Sequence, residues 1–211
     1  MPLAQRAHCR PDPDEVPLGN LKDPDKIAAK IKAAIEAWES GNGAALDPLQ
    51  ARVALVGLAV GDGEYTPIYA DPENDDSEVE VLTRWWESLH GLDQDRIRII
   101  GHNIRFDAAM LIHRSWIQDV PVPSSLVTDL FSYSPHHWAD TMRLWQLGDK
   151  TAKFTGLDRL CRSFGISVKT GDVTGADFWL WWQRDKPACI AYNRQDVEAV
   201  RQLWGIIGTG E

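Results

Sequence analysis

The sequence predicts an α/β domain, and three observations carry that prediction. Short runs of β-branched and apolar residues, above all Arg52–Val60 and Ile97–Ile100, are separated by longer segments whose apolar residues recur at helical spacing. One unit, Ile97–Trp116, reads as strand, turn and helix in immediate succession and places Asp107 in the first turns of its helix. At 211 residues the chain is long enough for one domain with a substantial core and too short for two comfortable ones.

The elements are taken in chain order. Up to about Leu21 the chain is rich in Pro and Asp and carries no strand or helix pattern, so coil is expected. Asp23-Pro24-Asp25 supplies an N-cap, a Pro at the first helical position and an acidic first turn. Ile27, Ile31, Ile35 and Trp38 then share one face, and Gly41-Asn42-Gly43 ends that helix. Residues 1–50 are therefore read as coil plus an amphipathic helix, and 51–211 as the main domain. Arg52 to Val60 is almost continuously apolar, as in a strand covered on both faces. Gly61-Asp62-Gly63 signals a turn, and Tyr65 to Ala70 reads as the antiparallel partner, with Pro67 favouring an edge.

Ser77-x-x-Glu80 is a capping box that opens a helix through Leu89, with Val81, Leu82, Trp85, Trp86 and Leu89 as its apolar side. After the Ile97–Trp116 unit comes a loop holding Pro121, Pro123 and Pro135. Trp138-Ala139-Asp140-Thr141 closes a short strand before a helix from Met142 to Leu147. Leu157, Leu160, Cys161 and Phe164 have helix spacing, with Gly165 where a C-terminal cap belongs. Phe178 to Trp182 reads as a short helix packed on the core; a base-stacking role is the weaker reading because basic residues are not interleaved there. Pro187 to Leu203 is a long helix.

Composition narrows the function classes. No apolar run approaches the length of a membrane span, and MPLAQRAHCRPDPDE lacks the apolar core of a signal peptide, so a cytoplasmic protein without a membrane partner is expected. Cys9, Cys161 and Cys189 are odd in number and far apart, which suggests neither a disulfide framework nor a zinc site. His136-His137 lacks a third ligand at metal-site spacing and reads as a polar loop. A net charge of -9 argues against broad electrostatic gripping of nucleic acid, yet suits an acidic site that holds metal ions against phosphates. Neither a Gly-rich phosphate loop nor a G-x-S-x-G elbow is present.

Two places carry candidate chemistry. Asp107 lies beside the carboxyl end of a strand, where open α/β sheets place their ligands, although a first-turn acid at the positive end of a helix is also an ordinary arrangement. Tyr192 and Asp196, four residues apart in the last helix, share a face. An acid beside a phenol suits binding of a divalent metal and positioning of a water; a plain Tyr to Asp hydrogen bond is the alternative.

Taken together, GHNIRFDAAML, then Asp140-Thr141, then L-x-x-L-C-x-x-F-G-I from Leu157 and Y-N-R-Q-D-V from Tyr192 resemble a known family. They resemble the 3′-to-5′ exonucleases of the ribonuclease H-like fold that use four acidic residues and a tyrosine (the DEDDy type), in particular the exonuclease domain of family B DNA polymerases and its stand-alone relatives. Asn103, Phe106 and Asp107 match the second motif, N-x-x-F-D, and Tyr192 and Asp196 match the third, Y-x-x-x-D. The likeness covers about Arg52 to Leu203.

This resemblance implies a three-layer fold with a mixed central sheet flanked by helices, and two-metal hydrolysis of phosphodiester bonds with Mg²⁺ or Mn²⁺. It implies that Asp196 is a direct ligand of the first metal, that Asp107 binds the second, and that Tyr192 orients the attacking water. Asn103 and Phe106 would contact the substrate, and Asp140 corresponds to the Asp of a D-T element. Single-stranded DNA is the implied substrate, in proofreading or DNA repair, and the likeness is compatible with a polymerase or repair partner. The competing expectation is a catalytically dead ribonuclease H-like module that binds nucleic acid or a protein.

One departure weakens the enzyme reading. The family's first motif, D-x-E followed by Thr at the end of the first, central strand, has no counterpart: Asp12-Pro13-Asp14-Glu15 is preceded by no β-rich run, and Pro13 would interrupt a strand. Met1-Pro2-Leu3-Ala4-Gln5 resembles the residues just after that motif in relatives, so the missing strand is expected immediately upstream, through a shortened gene product or a wrongly chosen start. Without it the sheet loses its middle member, and little or no nuclease activity is expected of the chain.

Overall fold

The computed structural model describes residues 13, 16–39, 46–69, 77–90, 92, 97–147, 149, 151–168, 173, 175 and 178–208, with the backbone alone at 37–39. Most of the N-terminal coil, the Gly41-Asn42-Gly43 stop and Cys9 fall outside the described residues. Helix α1 (Pro24–Glu39) begins as its cap signals require, with Asp23 Oδ1 accepting the Asp25 N–H at 3.0 Å.

Strands β1 (Leu55–Leu58) and β2 (Thr66–Tyr69) form an antiparallel pair in which Leu55 faces Tyr69 and Leu58 faces Thr66. Gly61, at φ 54°, makes the turn between them, a backbone state that costs glycine little. Side chains alternate along β1 as strand geometry demands. Val56 and Leu58 pack with helix α2 (Ser77–His90), whereas Leu55 and Gly57 lie on the opposite side, toward helix α8 (Lys186–Ile207). That alternation produces helix, sheet and helix layers.

A second pair, β3 (Ile99–Gly101) and β4 (Trp138–Asp140), is parallel and sets Gly101 beside Asp140. Helix α3 (Ile104–Ile117) makes the crossover, and α4 (Ser124–Leu130) occupies what the sequence reads as a proline loop. Pro123 starts α4 and Leu126 and Leu130 bury themselves, but seven residues are too few to show a helical period. Helices α5 (Thr141–Gln146), α6 (Leu157–Ser163) and α7 (Phe178–Arg184) complete the chain, and Gly165, at φ 70°, comes after α6 as its cap signal predicts.

The apolar run at β1 is covered on both faces, by α2 on one side and α8 on the other, yet all four of its residues are only half-buried. The physical reason is that β1 pairs with β2 alone, and among the described residues no strand joins β1 to β3, so the sheet is two separate pairs.

The main core lies between α2, α3 and α4, where Leu82, Ala108 and Leu126 are almost wholly buried. Smaller clusters join α6 to α8, through Leu160, Cys161, Ala199 and Leu203, and α7 to α8, through Trp182 and Cys189. Trp182 stacks on Phe178 and meets Tyr69 edge-on, in line with the packing role read for the tryptophan-rich piece, while Trp179 stays 44% exposed.

Candidate functional site

The β3–α3 turn carries the first candidate acid. Asn103 takes the left-handed conformation, φ 57° and ψ 35°, that Asn tolerates better than most residues. Its N–H donates to Asp140 Oδ1 at 2.9 Å, and that same oxygen accepts the Met142 N–H at 3.0 Å as the N-cap of α5. Asp140 therefore fastens the two turns that come after β3 and β4. His102 adds a second fastening: Nε2 donates to the Thr155 carbonyl at 2.7 Å, and Nδ1 lies 3.0 Å from Thr141 Oγ1. The hydroxyl of Thr141 also donates to the Gly101 carbonyl at 3.2 Å.

Held in this way, Asp107 stands in the first turn of α3. Its carboxyl is pushed up to about 6, first by desolvation and further by repulsion from Asp140 and Asp196, against the opposing pull of its own backbone N–H. The residue as a whole is exposed, so water tempers this penalty while leaving its direction upward. Asp196 on α8 thus lies within electrostatic reach of Asp107, across 89 positions of sequence (196 minus 107). It also pushes the Cys161 thiol upward, after burial and Asp158, which places it over α6 as well.

Helix α8 is set against the sheet by a local clamp. The Tyr65 hydroxyl donates to Asn193 Oδ1 at 2.9 Å, and the Arg194 guanidinium lies 5.1 Å from the centre of the Tyr65 ring. Desolvation pushes the Tyr65 hydroxyl up to about 12, with Arg194 acting in the opposite sense. Beneath the clamp, a Cβ on Gly57 would overlap Asn193 Oδ1 and crowd the Tyr65 ring, so only glycine lets α8 approach this closely. Gly57→Ala is accordingly expected to cost about 1–3 kcal/mol by overpacking. An unchanged urea midpoint would show that Asn193 simply swings aside.

The remaining sequence candidates are placed less tightly. Tyr192 is half-buried against Phe178 of α7, ring centres 6.2 Å apart, on the side where a Cβ on Gly175 would stand 4.0 Å from its hydroxyl. Phe106 is 40% exposed beside Asp107. His136 and His137 form the polar loop read from the sequence, their backbone N–H groups donating to the Asp129 carboxylate at 2.8 and 2.7 Å. Asp140 is 8% exposed, and its Oδ2 is buried without a hydrogen-bond partner. The D-T pair is its signal in the sequence.

The fit of this site to divalent cations is partial. Carboxylate oxygens are the donors that Mg²⁺ and Mn²⁺ prefer, and the orphaned Asp140 Oδ2 offers another. Among the described residues, however, no three His, Cys, Asp or Glu side chains gather closely enough to hold an ion by themselves. Any ion bound there would need water or substrate oxygens to complete its shell.

No helix of the described residues is long and apolar enough to cross a membrane. No curated protein and no solved structure matches the chain. Residues 43–207 match the family pattern of the RNase H superfamily, which accords with the mixed strands, the flanking helices and the acidic ends of β3 and β4. That superfamily is broadly one of hydrolytic nucleases that act on nucleic acid and use divalent metals. By its sequence and its architecture, this chain belongs to the RNase H superfamily.

Proposed function

We propose that the chain is of the 3′-to-5′ exonuclease type and hydrolyses phosphodiester bonds at the end of a single strand, DNA before RNA. What supports this reading is the repulsion that Asp140 and Asp196 add to the Asp107 carboxyl, which links the elements bearing the two motifs that resemble the exonucleases. Asp107 and Asp196 are the residues that would hold divalent cations, with Asp140 beside them. A divalent ion there offsets phosphate charge and favours ionisation of a bound water. For their part, Asp107 and Asp196 supply negative charge from two separate elements, and Asp140 holds the turn that aims Asp107. The role assigned to Tyr192 is to orient the attacking water through its hydroxyl, and Asn103 and Phe106 are assigned to the substrate end.

A second reading, a non-catalytic nucleic-acid or protein-binding module, is favoured by the lack of a three-ligand group among the described residues. One assay separates the two. Purified chain, single-stranded DNA labelled at its 5′ end and Mn²⁺ are expected to give a faint ladder shortened stepwise from the 3′ end. The ladder should vanish with chelator and in Asp196→Ala. Oligonucleotide binding indifferent to chelator, with no ladder at any protein concentration, would establish the module instead.

A further inference from the structure

Three segments distant in sequence meet around His102, and each carries an exposed cation and an exposed aromatic ring. The first turn of α3 has Arg105 and Phe106, and α5 has Arg143 and Trp145. The loop before α6 has Lys153 and Phe154. That loop is tied to His102 through the Thr155 carbonyl and to α5 through Gln146 Nε2, which donates to the Ala152 carbonyl at 3.4 Å. The Phe154 ring meets the His102 ring edge-on, centres 6.5 Å apart, yet Phe154 remains 65% exposed, with Trp145 at 46% and Phe106 at 40%.

Rings of this size usually find a core; Trp145 meets Phe164 edge-on, centres 6.0 Å apart, at the margin of the α6–α8 cluster, whereas Phe154 belongs to none of the three buried clusters. In a chain with net charge -9, an exposed cation next in sequence to Phe106 and to Phe154 is also not background. Interleaved rings and cations are what a single nucleic-acid strand needs: ring faces for unstacked bases and positive charge for the backbone. We propose that Phe154, backed by His102 and flanked by Lys153, forms a stacking surface for unpaired bases leading to the Asp107 site. A duplex hides its base faces, so this surface selects single-stranded ends. This inference rests on the nuclease reading, because the surface adjoins the acidic residues assigned to hydrolysis.

The test uses the full chain in chelator, so that nothing is cleaved, and the anisotropy of a short dye-labelled oligothymidylate and of a blunt duplex carrying the same dye. Phe154→Ala is expected to weaken binding of the single strand about 5- to 100-fold, the range one lost base stack produces. Phe154→Trp should retain binding, and Leu147→Ala, at a nearby residue 92% exposed, should leave it unchanged. Lys153→Gln should reduce the slope of affinity against salt by about one ion.

If wild type binds the oligonucleotide and Phe154→Ala binds it equally well, the stacking surface is wrong while the nuclease reading survives. Equal losses in Leu147→Ala and Phe154→Ala would also overturn it, because they would indicate general stickiness. If wild type neither binds single strands nor cleaves them with Mn²⁺, both readings fall together.

Discussion

Arg114→Met is expected to destabilise the domain by about 3–5 kcal/mol, because it strands a buried carboxylate. Arg114 on α3 is 1% exposed and Glu78 on α2 is 4% exposed. Arg114 Nε donates to Glu78 Oε1 at 2.9 Å and Nη2 to Oε2 at 2.6 Å, a two-point pairing that fixes orientation as well as charge. The pair is also a junction. Glu78 accepts the Val53 N–H at 2.8 Å and Gln118 Nε2 at 2.8 Å, and Arg114 Nη1 donates to the Pro48 carbonyl at 2.9 Å. These bonds bind the entry to β1, the turn before it and both helices into one unit. Replacing both partners, as in Glu78→Leu with Arg114→Met, should recover much of the loss, since two apolar groups leave no unpaired charge. Urea unfolding of the three variants checks this, and a single-variant loss under about 1 kcal/mol would mean that water reaches Glu78.

That junction marks the limit of what the amino-acid order shows. The elements with local signals stand where those signals put them: the Asp23-Pro24 start of α1, the Gly61 turn, the Gly165 cap and the long final helix. Glu78 and Arg114 are 36 positions apart, and an Arg in the last turn of α3 looks like a solvated charge until the fold brings its partner. The same holds for α4, which has too few residues to display a period. In the site, Asp107, Tyr192 and Asp196 were readable as letters of two motifs. What could not be read is that Asn103 owes its place in part to a left-handed backbone, and that Asp140 fastens the turn that carries Asp107. Both depend on backbone angles and on contacts across 37 positions.

Asp107→Asn is expected to make the protein more stable at neutral pH and less able to bind divalent ions, two effects of opposite sign from one side chain. The sign comes from linkage. The carboxyl of Asp107 is raised in the fold from 3.8 to about 6, so the folded chain holds a proton that the unfolded chain has already lost. Its contribution to stability is therefore complete below 3.8 and fades as pH rises through about 6, where the ionised carboxylate faces Asp140 and Asp196. Asparagine has no charge to lose, so the variant should gain on wild type across that window and keep a constant lead above it. Asp196→Asn, which removes one repelling partner, should shift the wild-type transition to lower pH without abolishing it. Mn²⁺ should close the gap at neutral pH by raising the stability of wild type, while the variant's affinity for Mn²⁺ falls by at least about 10- to 100-fold, the loss that even outer partners of a metal ligand cause. Paired urea melts across the pH range, with and without Mn²⁺, measure all of this. A gap between wild type and Asp107→Asn that does not change with pH would mean that Asp107 carries an ordinary solvated carboxylate. Asp107, Asp140 and Asp196 would then not form one site.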